Sequence, residues 1–317
     1  MADPTYPGDS DRPIVLVTGA SSGIGQACAI HLDRMGWRVL AGIRRPEAID
    51  AVHAVASARL QPVTLDVTDP ASIAAAGAVV RDAVGDRGLQ GLVNNAGIAV
   101  AGIAEFLPME RLREQFEVNF FGQVAVTQAL LPLLRAGNGR VVNMSSISGR
   151  HAAPFFSAYA ASKHALEAWS DSLRQELAMW GLHVAIIEPG AIDTPIWESG
   201  EGRARRIVEE MPETGRSLYS AAVTTGLDTT RRGGKRGIPA QRVAEVVEHA
   251  LTAPSPSARY VVGSDARAQA AAKRFLPDAW GGPAHPPGHA PTTHTLITSA
   301  SHRLTRGRFT IGVAVKR

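Results

Sequence analysis

Gly19, Gly23 and Gly25 fall directly after the apolar run Ile14-Val15-Leu16-Val17 and open an amphipathic stretch that extends to about Gly36. A short β-branched run is a buried strand, the stretch after it has helical periodicity, and the glycines make the turn between them tight. Gly19 permits that turn, whereas Gly23 and Gly25 let backbone amides and the positive end of the helix approach a pyrophosphate. Ser21, Ser22 and Ile24 lie in the same turn and are counted with the cofactor-binding residues. Isolated glycines would also suit a plain turn. The strand before them and the helix after them favour a phosphate cradle.

Strand and helix patterns alternate along the rest of the chain. Further buried strands are expected over Arg38 to Ile43, Leu60 to Val67, Leu92 to Val93, Arg140 to Met144, His183 to Glu188 and Arg259 to Val262. Helices are expected from Asp69, as N-cap with Pro70 at the first helical position, to about Val84, and over about Met109 to Leu134, Ala158 to Trp180, Pro239 to Ala253 and Asp265 to Phe275. This alternation implies an α/β fold: a doubly wound, Rossmann-type, mostly parallel seven-stranded sheet in a single domain with a lid insertion. At the end of the second strand, Ile43 stands where a site preferring NAD offers a ribose-binding carboxylate, and Arg44 and Arg45 come next. Two guanidinium groups there suit a 2′-phosphate, so NADP (NADPH) is the expected cofactor, with NAD as the alternative. Solvated loop charges are the other reading of the pair. Small residues in Asn94-Asn95-Ala96-Gly97 let the chain lie against the cofactor, with Asn95 holding either the central strand or the adenine ribose.

The stretch from Ser145 to Lys163 carries a hydroxyl, a phenol and an ammonium. Tyr159 and Lys163 are four apart, so on a helix both leave the same face. An ammonium beside a phenol favours the phenolate, which is how a tyrosine becomes a general acid or base near neutrality. Ser146 ends an apolar run and is expected at a carboxyl-terminal strand edge, where open α/β sheets bind ligands.

Together, Thr18 to Gly25, Asn94 to Gly97, Ser146, Tyr159 and Lys163 resemble the short-chain dehydrogenase/reductase family over roughly residues 13–277. The framing segments Val39 to Arg45 and Arg259 to Ala266 are most similar to the branch that includes retinol and hydroxysteroid dehydrogenases. The resemblance implies reversible hydride transfer between a nicotinamide cofactor and a secondary alcohol or ketone, or an alcohol and aldehyde. Ser146, Tyr159 and Lys163 are then catalytic, and Tyr159 and Lys163 also bind the cofactor. It adds Asn119 as a fourth catalytic residue that distorts its helix and holds a water against the lysine. It assigns Asp66 and Val67 to the adenine edge, with capping as the alternative for Asp66. Pro189, Gly190, Ile192 and Thr194 are assigned to the nicotinamide. Two other outcomes on the same scaffold are a cofactor-sensing protein without turnover and a dehydratase or epimerase.

The remaining sequence bounds partners and setting. Residues of about 195–237 are too long for an ordinary connection and mix apolar with charged and glycine-rich stretches, which suggests a substrate lid closing over a hydrophobic carbonyl or alcohol, or an oligomer contact. Residues 1–12 are expected to be flexible, and 278–317 to be a disordered basic tail. That tail holds five Lys and Arg against one acid, which accounts for the net charge of +4 and leaves the body near neutral, so no nucleic acid partner is expected. The scattered histidines His285, His289, His294 and His302 lack carboxylates or cysteines beside them, and no metal is expected. No run approaches a membrane span, and the single cysteine, Cys28, excludes an internal disulfide. A cytoplasmic homodimer or homotetramer is the expected setting.

Overall fold

Alternate residues of each strand enter two separate cores. Val15, Val17, Val39, Ala41, Val93, Val142 and Ala185 pack on one side, while Ile14, Leu16, Leu40, Val63, Leu92, Val141 and Val184 pack on the other. A sheet buried on both faces needs strands apolar at every position, which is why the strand sequences read as continuous apolar runs. The computed structural model describes residues 11–45, 47, 52, 56–220, 223 and 237–275.

The strands are β1 (Ile14–Thr18), β2 (Arg38–Ile43), β3 (Leu60–Thr64), β4 (Gly91–Asn94), β5 (Arg140–Met144), β6 (His183–Pro189), the short pair β7 (Ile192–Asp193) and β8 (Ile238–Pro239), and β9 (Arg259–Val262). Seven form one sheet in the order β3-β2-β1-β4-β5-β6-β9, and every pairing in it is parallel. Helices α1 (Gly23–Arg34) and α7 (Gln241–Thr252) cover the first face through Cys28, Ala29, Leu32, Val243, Val247 and Leu251. Helices α2 (Pro70–Val84), α4 (Gly122–Ala136) and α5 (Ser157–Leu177) cover the second through Ile73, Val80, Val126, Leu130, Leu134, Leu173 and Leu177. The elements α3 (Met109–Phe116), α6 (Ile196–Glu210) and α8 (Ser264–Phe275) complete the set used below. The chain order reverses between β1 and β4, and the crevice beyond the carboxyl ends of those strands is where such sheets bind ligands.

Several boundaries differ from the sequence reading. The helix expected over 109–134 is three pieces, because the π-helical segment Glu117–Phe121 separates α3 from α4. The strand expected to reach Val67 ends at Thr64, leaving Asp66 and Val67 in the turn before α2. Asp69 does cap α2, its Oδ1 accepting from Ala71 N at 2.9 Å, with Pro70 at the start. Helix α5 stops at Leu177 and tightens into a 3-10 turn, Ala178–Trp180. Arg12, within the stretch expected to be flexible, is buried and donates from Nη1 to Gly36 O at 3.0 Å. Residues 1–10, the tail from 278, and residues 221, 222 and 224–236 of the stretch expected to form the lid lie outside the described residues. Among those described, no helix is long and apolar enough to cross a membrane.

One polar ladder crosses the second core. Asn94 Nδ2 donates to Thr127 Oγ1 at 2.7 Å and to Asn143 Oδ1 at 2.9 Å, and Asn143 Nδ2 donates to Ser170 Oγ at 2.8 Å. Both asparagines are fully buried, so these bonds tie α4, β4, β5 and α5 together at the depth of the crevice. Asn143→Ala leaves the Asn94 amide short of an acceptor and should cost about 2–3 kcal/mol. A lowered urea midpoint is expected; a parental midpoint would show that the ladder does not hold these elements.

Candidate active site

The glycine turn is braced from β4. Thr18 Oγ1 accepts from Asn95 N at 2.9 Å and Ala96 N at 3.0 Å, while Asn95 Nδ2 donates to the carbonyls of Thr18 at 3.0 Å and Gly19 at 3.2 Å. Asn95 thus holds the central strand, the first of its two expected roles. Gly25 has to lack a side chain, since a β-carbon there would run into Gly19 O and Asn95 Nδ2. Gly19 and Gly23 have φ of +65° and +58°, conformations that glycine adopts readily. Ser22 is exposed at the N-cap of α1 and its hydroxyl makes no cap bond. A cradle of this shape, with free amides at the start of a twelve-residue helix, fits a pyrophosphate.

Beyond the turn, Ile43 is buried while Arg44 and Arg45 are exposed at the end of β2. Sequence reasoning missed Arg203, on α6. Its Nη1 is shielded from solvent without a hydrogen-bond partner among the described residues. Burial lowers its pKa; Glu114 opposes that, and the like charges of Arg206, Arg44 and Arg111 add to it. Asp66 closes a local turn, Oδ1 accepting from Thr68 N at 2.9 Å and Thr68 Oγ1 at 2.7 Å, while Asp69 is the N-cap of α2, so Asp66 does not take the capping role. Val67 packs against Gly122, where a β-carbon would stand 2.7 Å from Val67 O.

Ser146, Tyr159 and Lys163 converge at the end of β5. Ser146 Oγ accepts from Ser148 N at 3.1 Å, and its hydroxyl lies 3.5 Å from Pro189 O. Lys163, 3% exposed, donates from Nζ to Met144 O at 2.7 Å and sits 5.7 Å from the centre of the Tyr159 ring. Burial pushes the phenol of Tyr159 up, and the Ser146 hydroxyl works against that shift. The sequence led us to expect the ammonium to bring the phenol down. In the structure that ammonium is committed to a carbonyl, and its own pKa falls to about 8 through burial, with Glu167 opposing. Asn119 lies in the π segment, fully buried, with Oδ1 accepting from Ile98 N at 2.8 Å and Nδ2 donating to Ile98 O at 3.0 Å. The expected distortion of the helix is present, and π turns of this kind recur at functional sites.

Pro189 ends β6 beside Ser146, and Gly190 follows it. Asp265, another residue that sequence reasoning missed, fixes them from α8. Its Oδ2 accepts from Ala191 N at 2.8 Å, and its carboxylate fills the space that a Gly190 side chain would need. Ile192 O accepts from Trp197 Nε1 at 2.7 Å and lies 3.4 Å from Thr194 Oγ1. Thr194 lies over the glycine turn, since a β-carbon on Gly23 would stand 3.2 Å from Thr194 Cβ. A residue expected at the nicotinamide therefore lies against the glycine turn expected at the pyrophosphate.

A doubly wound parallel sheet with this crevice defines a dinucleotide-binding α/β protein. The sequence pattern described as short chain dehydrogenase matches residues 13–203. The chain is 39% identical to mouse retinol dehydrogenase 5, covering 83% of this chain and 84% of that protein. It is 41% identical to bovine 17-beta-hydroxysteroid dehydrogenase type 6, covering 80% and 81%. Among solved structures, a short-chain dehydrogenase from Streptomyces avermitilis superposes with a TM-score of 0.68 at 32% identity, covering 81% of this chain and 91% of that one. One from Burkholderia cenocepacia, in complex with NADP, gives 0.64 at 25%, covering 84% and 94%. The chain belongs to the short-chain dehydrogenase family, in the branch that the sequence indicated, and is an oxidoreductase acting on CH–OH groups.

Burying Lys163 has a consequence for stability. Its pKa is lower folded than unfolded, so between about 8 and the ordinary lysine value the unfolded chain binds more protons and stability rises with pH. Compared with Lys163→Met, the parent should gain stability as pH rises through that window, as read from paired urea melts. A difference independent of pH would contradict the buried ammonium.

Proposed function

We propose that the protein interconverts a hydrophobic secondary alcohol and its ketone, or an alcohol and its aldehyde, with NADP(H) as preferred partner and NAD(H) as the weaker one. The observation that carries this reading is the meeting of Ser146, Tyr159 and Lys163 at the strand edge beside Pro189, in the crevice headed by the glycine turn. The bound dinucleotide supplies or accepts the hydride. Toward the alcohol, the Ser146 hydroxyl donates to the carbonyl oxygen and stabilises charge as it develops. Tyr159 delivers the proton, and its raised pKa keeps the phenol protonated as a donor at neutral pH. Lys163 supplies positive charge beside the ring and holds the nicotinamide ribose. Asn119 fixes the main chain at Ile98 and, through the π distortion, holds the water that replenishes the proton. Gly19, Ser21, Ser22, Gly23, Ile24 and Gly25 receive the pyrophosphate. Asp66, Val67, Asn95, Ala96 and Gly97 border the adenosine, and Pro189, Gly190, Ile192 and Thr194 the nicotinamide.

Apolar packing under the lid supports a hydrophobic substrate. Ile207 of α6 is buried with Val100 and Ala158 and meets Ile98, Leu107 and Leu112. Tyr219 stacks edge-on against Phe106 at 5.9 Å and donates to Glu105 Oε2 at 2.6 Å. The names of the similar proteins, retinol and hydroxysteroid dehydrogenases, point to the same class of compound. A cytoplasmic homodimer or homotetramer completes the proposal. For the oligomer, the support is the aromatic cluster Phe116, Phe120 and Phe121, whose last member is 50% exposed.

Cofactor preference rests on Arg44 and Arg45, joined by the field of Arg203. A charge-assisted bond to a 2′-phosphate is worth ~1.5–3 kcal/mol, roughly ten- to hundred-fold in affinity. Screening steroid and retinoid ketones and aldehydes for NADPH oxidation should find turnover. In the same preparation, energy transfer from the tryptophans should give a lower Kd for NADPH than for NADH, the gap closing in Arg44→Ala with Arg45→Ala. Turnover with equal affinities would leave the reaction standing and make both arginines ordinary surface charges.

A further inference from the structure

Helix α5 carries a second charged group into the core, one turn beyond Lys163. Glu167 is 7% exposed, and its Oε2 accepts from Arg259 Nε at 3.1 Å. The same arginine reaches Asp171 Oδ2 through Nη2 at 2.6 Å and passes 3.4 Å from Glu188 Oε1. Glu188, fully buried on β6, also accepts from Arg150 Nε at 2.7 Å. On the other side, Ser145 Oγ and Glu167 Oε1 both crowd onto Gly149. A β-carbon there would stand 2.7 Å from the hydroxyl and 2.9 Å from Glu167 Cγ, so the glycine makes room for the pair. Neither of these two oxygens has a well-aligned hydrogen bond among the described residues. Among the described residues, the charged and polar side chains around Glu167 are thus Lys163 and Asp171 on α5 itself, with Arg174 paired to Asp171, Glu188 on β6, Arg259 on β9, and Ser145 and Arg150 on the loop after β5.

Lys163 makes its hydrogen bond to a neutral carbonyl. A buried ammonium in that position keeps its proton only if a counter-charge lies nearby. Lys163, Arg150, Arg259 and Arg174, which donates to Asp171 Oδ1 at 3.1 Å, stand against Glu167, Asp171 and Glu188, so no carboxylate here is in excess. Arg150 pairs with Glu188, and Arg259 is shared among Glu167, Asp171 and Glu188; of these carboxylates Glu167 is the one a single helical turn from Lys163.

We propose that Glu167 is a positioning residue for Lys163: clamped between Arg259 and the Ser145–Gly149 turn, it supplies the counter-charge that keeps the ammonium protonated and seated on Met144 O. The proposal rests on Lys163 belonging to the reaction site described above. Lys163 and Glu167 are both buried on α5 four residues apart, so they share one face of the helix. Glu167 raises the Lys163 pKa against burial. Its own carboxyl is pushed up by burial and the charge of Glu188, and held back by Ser145 and Arg259. A proton entering Glu167 as pH falls would remove the counter-charge; ionised Glu167 restores it.

The chain has only four lysines, Lys163, Lys235, Lys273 and Lys316, so carbon-13 labelling at lysine Cε gives a spectrum simple enough to titrate, with Lys163 assigned by its loss in Lys163→Met. In Glu167→Gln the Lys163 midpoint should fall by about one pH unit, a tenfold weaker hold on the proton. Ser145→Ala, which weakens the ionised form of Glu167 without touching its size, should move the midpoint the same way by less. Glu167→Asp, which keeps the charge, should recover most of the loss. The alkaline limb of kcat/KM should follow the spectroscopic midpoint in each variant. An unmoved midpoint in Glu167→Gln and Ser145→Ala would overturn the proposal and leave Glu167 a brace for the helix. If no carbonyl compound were turned over, the proposed reaction would fail, while the titration would still decide the role of Glu167.

Discussion

The hydrogen bond from the buried Lys163 ammonium to Met144 O, 2.7 Å long, is the interaction around which the site is arranged. It joins the reacting face of α5 to the end of β5 and so fixes Tyr159 beside Ser146. A charge so deep is unfavourable by itself, as its lowered pKa records. The fold compensates with neighbouring structure: the asparagine ladder immobilises β4, β5 and α5 below it, and Glu167, one helical turn away and held by Arg259, is the negative charge that acts on it. Part of the stability of the sheet is thus given up to keep one ammonium out of water.

The same economy shapes the cofactor side. Thr18 and Asn95 satisfy the main chain where β1 and β4 part, and Gly25 lets those groups come together with no side chain between them. The turn that results points amides into the crevice without a capping side chain to occupy them. Asp265 gives the far wall an equivalent support by binding Ala191 N and filling the space above Gly190. Binding and proton transfer therefore rest on one set of strand ends.

Much of this was legible in the sequence because it depends on local chemistry. The glycine spacing specified the β1 turn, Asp69 and Pro70 marked the start of α2, and the four-residue interval placed Tyr159 and Lys163 on one face. The parallel order of the strands followed from the alternation of apolar runs with helical segments. What stayed hidden depends on contacts between distant segments. The role of Asp265 requires the end of the chain's last described strand to return to β6, and Arg203 meets the field of Arg44 only once α6 is folded over. Glu167 looks like any helical glutamate until β9 brings Arg259 against it. The π segment is intermediate: an asparagine in mid-helix hinted at it, but its bonds to Ile98 come from a separate loop. The direction of the Tyr159 shift was misjudged for the same reason, since burial and the commitment of Lys163 to Met144 are tertiary facts.

In the proposed reaction the Tyr159 hydroxyl delivers the proton as hydride is transferred. Single-turnover reduction of a ketone found by activity, with NADPH in excess, tests it in Tyr159→Phe, which removes one oxygen and leaves the ring. Hydride transfer should fall by ~10²–10⁴ with the Kd for NADPH unchanged. A parental rate in that variant would contradict the account.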